Sequence, residues 1–263
     1  MSGVTAHLNY LSSSELKPRY FLYRTEGDQP PRPETRSITV DVVDARTLSG
    51  LSLDVEGIEL VAQSSKVADF YDAEEVRRIY FPEVESFVLE HLGAQRVHVF
   101  DHNVRNRDRR GEDGVDGPVK FVHNDYTEAS GPQRVRDLLG ADAPALLKRR
   151  FAIVNLWRSI RGAVEESPLG VCDARTMRSH EFVSTDLVYP DRTGEVYSVC
   201  HAAAHRWLYF PAMNEREVML LKCYDSALDG RARFTAHSAF TDPTSPPEPE
   251  PRESIEVRAL VFF

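Results

Sequence analysis

Short apolar runs separated by turn residues fill the chain from Arg96 to its end. They begin with RVHVFDH and finish with SIEVRALVFF, and each is rich in Val, Ile, Phe, Tyr and Trp. This composition and spacing favour a series of β-strands. A further strand is predicted at residues 37–43, after an extended N-terminal arm that ends in QPPRPE.

Helical spacing of apolar residues is confined to three places. Residues 72–92 carry apolar side chains at intervals of three and four, with Pro82 as a break and Gly93 as the end. Shorter helices are predicted at residues 133–139 and 144–149. The pattern therefore predicts a mainly β fold with flanking helices, built on a double-stranded β-helix of the jelly-roll or cupin kind.

The length of the chain favours one domain. Its 263 residues, 41% of them hydrophobic, bury one sizeable core and are few for two enzyme domains. We expect a single domain over residues 1–263, in which residues 1–95 form the arm and helical lead-in and residues 96–263 form the jelly-roll core.

Charge and composition narrow the possible partners. The net charge of -9 argues against nucleic-acid binding, which calls for a concentrated basic surface. No apolar run approaches the roughly 18 residues that span a bilayer, and the N-terminus lacks the pattern of an export signal. We therefore expect a cytoplasmic protein without a membrane partner, and reduced thiols at Cys172, Cys200 and Cys223. A homodimer through the N-terminal helical region is a further hypothesis.

An arginine-rich stretch at residues 105–110 is the local exception to the acidic charge. Four arginines alternate there with Asp and Asn and run into a glycine-rich segment. Two interpretations are open: a solvated loop, or a lid over an anionic substrate.

The strongest chemical signal is the pair His123 and Asp125 in KFVHNDYT. Residues i and i+2 of a strand point to the same face, so this imidazole and carboxylate can converge on one ion. His237, in RFTAHSAF, is the favoured third ligand, although His201 and His205 in CHAAAHRW compete for that place. Two histidines and one carboxylate form the facial triad of non-haem iron(II) oxygenases, which leaves positions for a 2-oxo acid and O2.

A possible co-substrate anchor follows the third histidine. Arg252 heads the final strand and Ser254 lies two residues further on, so both can face one way. A guanidinium can fork onto the distal carboxylate of 2-oxoglutarate, with the hydroxyl as a second donor. The predicted cofactor set is therefore Fe(II), 2-oxoglutarate and O2.

Several stretches around these residues resemble one family of enzymes. They include VHVFDHNVRNR, PVKFVHNDYTEASGPQRVRDLL, FAIVNLWRSI, RARFTAHSAFTDP and PRESIEVRALVFF. In these motifs the chain is similar to the CmcJ/AsaB/NvfI-like family of fungal and bacterial tailoring oxygenases. The resemblance implies a double-stranded β-helix, Fe(II), 2-oxoglutarate and a small secondary-metabolite substrate. The chain departs from the family at CHAAAH, where an Asn-Pro sequence is expected.

The remaining pocket candidates are polar or aromatic residues near these motifs. Asn155 is expected to contact the cofactor. Because side chains alternate along a strand, Asn155 and Trp157 share one face and Arg158 lies on the other unless a bulge intervenes. Arg158 has two possible partners, a substrate carboxylate or the nearby Glu165 or Glu166. The predicted substrate-binding residues are Tyr126, Arg158, Arg206 and Tyr224.

Two other functional classes stay open at this point. A cupin-like metal enzyme that does not use 2-oxoglutarate would explain the triad but not Arg252 and Ser254. A non-catalytic small-molecule-binding protein on the same fold would not need all three ligands. The preferred hypothesis is a 2-oxoglutarate-dependent dioxygenase that hydroxylates, desaturates or cyclises a small molecule.

Overall fold

Two facing β-sheets form the body of the protein. The computed structural model describes residues 2–12, 16–23 and 32–263. Within them the strands are β1 Gly3–Leu11, β2 Arg19–Phe21, β3 Thr35–Asp44, β4 Ile58–Ala62, β5 Arg96–Arg105, β6 Val115–Asp116, β7 His123–Asn124, β8 Phe151–Ser159, β9 Leu169–Cys172, β10 Phe182–Val188, β11 Thr193–Val199, β12 Trp207–Tyr209, β13 Glu217–Asp225, β14 His237–Ala239 and β15 Ser254–Phe262.

The order of the strands determines which residues face each other. One sheet has nine strands in the order β1-β3-β12-β9-β14-β7-β11-β10-β2, and the other has six in the order β4-β13-β8-β15-β5-β6. Long-range antiparallel pairs such as β8 with β15 join distant parts of the chain. The prediction of a double-stranded β-helix of the cupin kind is confirmed.

The long helical segment covers the outer face of the six-stranded sheet, whereas the two shorter helices pack against residues of its other face. A helical segment runs through α1 Ala73–Glu75, a π-helical turn Val76–Tyr80 and α2 Phe81–His91. Pro82 stands at the start of α2 inside this continuous segment, directly after the π-helical turn that interrupts the regular α-helical hydrogen bonding. Gly93, with φ 62°, follows the helix as predicted. The shorter helices are α3 Ser130–Leu139 and α4 Ala143–Leu146.

Successive side chains of β15 point alternately to the helical layer and to the space between the two sheets. Ile255, Val257 and Ala259 are fully buried against the helical layer, together with Val84 and Val88 of α2. The intervening positions Ser254, Glu256 and Arg258 therefore face the space between the sheets. This inner face carries charge at the middle of the strand, where an ordinary core would be apolar.

The first 95 residues contribute more than an arm and a helical lead-in. β1, β2 and β3 belong to the nine-stranded sheet, and β4 is an edge of the six-stranded one. In β1, Ala6, Leu8 and Tyr10 alternate as buried residues. β1, β2, β4, β6 and β10 were not predicted as strands. The parts of the predicted arm at residues 13–15 and 24–31 lie outside the described residues.

The cysteine thiols and the helix lengths bear on the expected chemical state and environment of the protein. Cys172, Cys200 and Cys223 are free thiols, as predicted. Across the described ranges, no helix is both long and apolar enough to span a bilayer.

Candidate metal centre

His123 and His237 are brought together by strand pairing. β7 lies between β14 and β11, and His123 is directly opposite His237 in the antiparallel pair of β7 with β14. Directly opposed residues of neighbouring strands place their side chains side by side. The two imidazole rings are accordingly 4.4 Å apart between centroids.

Both imidazoles are held in the same way. Nδ1 of His123 lies 2.9 Å from the Phe121 carbonyl oxygen, and Nδ1 of His237 lies 3.0 Å from that of Thr235. A nitrogen that faces a carbonyl must carry the proton and donate it, so the lone pair is on Nε2. This contact fixes the tautomer and ring orientation of a metal-binding histidine.

Asp125 completes the cluster directly after β7. Its Oδ1 lies 3.6 Å from His123 Nε2 and 3.8 Å from His237 Nε2. Its Oδ2 accepts a hydrogen bond from Arg258 Nε at 2.7 Å. Burial raises the pKa of Asp125, but Arg258 and the two histidines outweigh it and hold that pKa well below its usual range. The carboxylate is therefore ionised and presents Oδ1 to the histidines.

His123 is neutral at physiological pH. Burial, assisted by repulsion from His237, lowers the pKa of His123 to about 4, against the attraction of Asp125. A neutral imidazole is the form that binds a metal, so no proton has to leave this ring at neutral pH.

The three ligand atoms fit one ion of the predicted kind. All lie within 4.8 Å of one another, and bonds of roughly 2 Å from nitrogen and oxygen span such a cluster. Two imidazoles and a carboxylate on one side of an ion leave the opposite positions open, which is the donor set of non-haem iron(II) oxygenases. The residues present therefore fit Fe(II).

Unpartnered polar atoms mark a second part of the site. Arg252 is buried; its Nη1 donates to the Ser167 carbonyl at 2.5 Å, but its Nε has no partner among the described residues. Ser254 Oγ and Asn155 Oδ1 are likewise buried without a partner in this part of the chain. Such atoms cost free energy unless a ligand or water satisfies them. The donors Arg252 Nε and Ser254 Oγ fit an anionic co-substrate, whereas Asn155 Oδ1 needs a donor.

Asn155 links the two parts of the site. It pairs with Arg258 across β8 and β15, and its Nδ2 lies 3.5 Å from Asp125 Oδ2. Trp157 lies on the same face, as predicted, with its ring 5.5 Å from the Arg252 guanidinium. Burial lowers the pKa of Arg252 to about 10, so this guanidinium is charged at neutral pH.

Three predicted substrate-binding residues have other surroundings. Arg158 is on the helical side of β8, where it donates to Gln63 and to the Glu215 carbonyl and not to Glu165 or Glu166. Arg206 contacts Asp173 at 3.7 Å at the start of β12. Tyr224 stacks on Phe151 with centroids 5.1 Å apart. These contacts are all with other residues of the chain, and a role of the three in substrate binding stays a prediction.

Tyr126 lies beside the metal cluster, whereas the competing ligand candidate His205 lies in another network. Tyr126 is buried next to Asp125, with its ring edge-on to Phe100. His205 bonds through Nδ1 to the Tyr10 hydroxyl at 3.0 Å and through Nε2 to Glu181 at 2.9 Å. Both its nitrogens are therefore occupied outside the metal cluster, and the CHAAAH segment belongs to this separate network.

The arginine-rich stretch at residues 105–110 is largely paired with acids. Arg107 bonds to Glu166 at 2.6 Å, and Arg109 bonds to Glu112 at 2.6 Å. Arg105 faces inward and bonds to Glu256 at 2.6 Å. These contacts favour the loop interpretation over the anionic-substrate lid.

Sequence reasoning missed the network of charged and polar residues that is linked to Asp125 through Arg258. The additional members are Asp101, Asn103, Arg105, Glu256 and Arg258. The available signal was the alternation of Ser254, Glu256 and Arg258 with apolar neighbours in a strand otherwise suited to a core.

A double-stranded β-helix with a His-Asp-His cluster between its sheets is the arrangement typical of non-haem iron oxygenases. Residues 8–262 match the family model described as Oxidoreductase/YMDC permease-like domain. The chain is 34% identical to the hydroxylase/desaturase efuI of Hormonema carpetanum, over 91% of this chain and 88% of that protein. It is also 34% identical to the alpha-ketoglutarate-dependent dioxygenase phiK of Fungal sp., over 86% of this chain and 84% of that protein.

A solved structure supports the same assignment. The iron and alpha-ketoglutarate-dependent endoperoxidase NvfI superposes with a TM-score of 0.91 at 25% identity, covering 99% of this chain and 98% of that one. The chain therefore belongs to this family of iron- and 2-oxoglutarate-dependent dioxygenases, as the resemblance in its motifs indicated.

Proposed function

We propose that this dioxygenase inserts oxygen into, desaturates or cyclises a small organic molecule, with His123, Asp125 and His237 as the iron ligands. Bound Fe(II) would activate O2, which is the oxidant, while 2-oxoglutarate supplies two electrons and becomes succinate and CO2. In a hydroxylation, one atom of O2 enters succinate and the other enters the product. The convergence of the three ligand atoms within 4.8 Å carries this proposal.

The co-substrate is proposed to lie between the metal cluster and Arg252. Arg252 Nε and Ser254 Oγ are buried donors without partners in the described ranges, and a distal carboxylate would accept from both. Asn155 stands at the other end, beside Asp125, where it would orient the metal-proximal end of the co-substrate. Burial excludes water and strengthens these contacts.

The substrate is proposed to lie on the opposite side of His123. Arg252 is tied through Ser167 to the β9 side of the nine-stranded sheet, whereas β11, β10 and β2 continue from β7 in the other direction. On that side Phe121 lies 4.9 Å from the His123 ring, and Tyr20 stacks on Phe121 at 5.0 Å. These rings would contact an apolar face of the substrate, and Tyr126 is proposed as a contact on the Asp125 side.

Product analysis tests the function. Purified protein with Fe(II), ascorbate, O2 and 2-oxoglutarate should form succinate in step with 2-oxoglutarate loss, and Asp125→Ala should not. Metal binding without succinate would favour a cupin-like enzyme that does not use 2-oxoglutarate. Absence of metal binding would favour a non-catalytic binding protein.

We further propose a cytoplasmic location and a homodimer formed through the N-terminal helical region. Leu89 on α2 is 43% exposed and would lie in such an interface. Light scattering on the purified protein should give twice the monomer mass, and Leu89→Glu should reduce it. A monomeric mass for the parent would refute the dimer.

A further inference from the structure

Arg258 is the most highly connected side chain next to the metal cluster. Its Nε donates to Asp125 Oδ2 at 2.7 Å, and its Nη2 donates to Glu256 Oε1 at 3.0 Å. Its Nη1 reaches Asn103 Oδ1 at 2.9 Å and Asp101 Oδ1 at 3.2 Å. With only 11% of the side chain exposed, the guanidinium is held on all sides by acceptors.

The contact between Arg258 and Asp125 gives the two carboxylate oxygens of Asp125 different neighbours. Oδ2 faces Arg258 Nε, with Asn155 Nδ2 at 3.5 Å and Cys223 Sγ at 3.7 Å as more distant neighbours. Oδ1 faces both histidine Nε2 atoms. Only one oxygen of this carboxylate is therefore directed at the ion position.

We propose that Arg258 is a positioning residue that holds Asp125 so that it binds iron through Oδ1 alone. The inference rests on the proposed function, because it takes Asp125 to be an iron ligand. Arg258 itself does not touch the metal, the co-substrate or the substrate in this role. It acts through the orientation of one carboxylate.

Strand register explains why Arg258 is itself fixed. Arg258 is opposite Asp101 and Glu256 is opposite Asn103, all on the inner face of the pair β15 with β5. Glu256 Oε1 also accepts from Arg105 Nη2 at 2.6 Å. Asp125, Arg258, Glu256 and Arg105 thus alternate in sign along one buried row.

The alternative is that Arg258 matters only through its charge. A fixed cation beside a cation site repels the incoming ion, so removing that charge alone should tighten metal binding. Loss of a positioning contact has the opposite sign, because partners that orient metal ligands typically contribute about 10- to 100-fold in affinity. The direction of the change therefore separates the two roles.

Metal titration of the full-length protein tests the proposal without any substrate. Anaerobic Fe(II) and Co(II) binding should be measured without 2-oxoglutarate in the parent, Arg258→Met, Glu256→Gln and the double variant. The double variant removes one charge of each sign, so it leaves the net charge of the buried row unchanged. We expect about 10- to 100-fold weaker binding in both variants that lack Arg258, and a smaller loss in Glu256→Gln.

The visible spectrum of the Co(II) form provides a readout of coordination. If Asp125 turns and binds through both oxygens, the Co(II) bands should change in intensity and position in Arg258→Met. Metal binding as tight as in the parent or tighter, with an unchanged Co(II) spectrum, would overturn the proposal.

The Arg258→Lys variant and metal binding by the parent separate a folding defect or a failed metal site from loss of the positioning contact. If Arg258→Met does not fold, as judged by circular dichroism, Arg258→Lys keeps the buried charge but loses the Nε donor. That variant should bind metal more weakly than the parent, and equal affinity with an unchanged Co(II) spectrum would refute a positioning role. If the parent itself binds no metal, the proposed function fails instead.

Discussion

His237 Nε2 lies 3.8 Å from Asp125 Oδ1, although His237 begins β14 and Asp125 follows β7, far away in sequence. The contact exists because β14 pairs with β7, which places His237 opposite His123. The site is therefore a product of sheet topology. Its chemistry can be tested by substitutions that leave this topology intact.

Arg252→Ala should weaken 2-oxoglutarate binding by about 10- to 100-fold, because a charged hydrogen bond contributes about 1.5 to 3 kcal/mol. Fe(II) affinity should be preserved, since Arg252 is not a proposed ligand. Titration of the Fe(II)-loaded protein with 2-oxoglutarate, followed by the visible charge-transfer band, measures the effect.

Arg158→Ala is the matched control for that experiment. Arg158 is equally buried but lies on the other face of β8, so its loss should lower stability without changing 2-oxoglutarate affinity. Similar losses of co-substrate affinity in both variants would contradict the assignment of Arg252.

Tyr20→Ala should raise KM for the small-molecule substrate by about 2- to 10-fold, as expected for loss of one aromatic contact. The charge-transfer band with 2-oxoglutarate should not change, because Tyr20 lies on the other side of His123 from Arg252. Steady-state kinetics with an identified substrate measures KM, and the charge-transfer band of the same variant measures 2-oxoglutarate binding.

Tyr189→Ala serves as the comparison for Tyr20. Tyr189 follows β10 and packs on Arg192 near the turn, with the guanidinium 4.2 Å from its ring. Its removal should leave KM unchanged. Equal kinetics for the parent and Tyr20→Ala would place the substrate elsewhere.

Glu256 should make stability depend on pH in the acid range. Burial raises the pKa of Glu256, but Arg105 and Arg258 outweigh it and set that pKa at about 2. A depressed carboxyl pKa stabilises the fold above the unfolded value of roughly 4.3, and this contribution is lost as pH falls towards the folded value. The loss attributable to this group is about 3 kcal/mol between those limits.

Urea unfolding of the metal-free protein at several pH values measures this effect. The stability difference between the parent and Glu256→Gln should shrink as pH falls from about 4 towards 2. Glu90→Gln, at an exposed position of α2, should follow the parent throughout. A difference between the parent and Glu256→Gln that does not depend on pH would contradict the ion-pair account.

Local patterns were enough to predict the convergence of His123 and Asp125 and the faces of β8. The two-residue period of a strand predicted that His123 and Asp125 converge and that Asn155 and Arg158 lie on opposite faces. Nothing local in the sequence specifies that β14 pairs with β7. The choice of His237 over His205 therefore depended on the order of motifs along the chain.

Residues that depend on irregular backbone or long-range pairing escaped prediction. The register of β13 shifts between Lys222 and Tyr224, and Cys223 Sγ lies 3.7 Å from Asp125 Oδ2. A bulge of this kind redirects side chains in a way that simple alternation does not anticipate. The contacts of Arg206 and Tyr224 come from distant segments, and their role in substrate binding stays a prediction.

The role of Asp125 as an iron ligand is the claim on which the other assignments depend. Asp125→Ala should be compared with the parent and with Asp142→Ala, an exposed acid that pairs with Arg96. Each protein is reconstituted anaerobically with Fe(II) and 2-oxoglutarate, and its visible spectrum is recorded. We predict the charge-transfer band in the parent and Asp142→Ala and its loss in Asp125→Ala. A band of equal intensity in Asp125→Ala would contradict the metal site described for this protein.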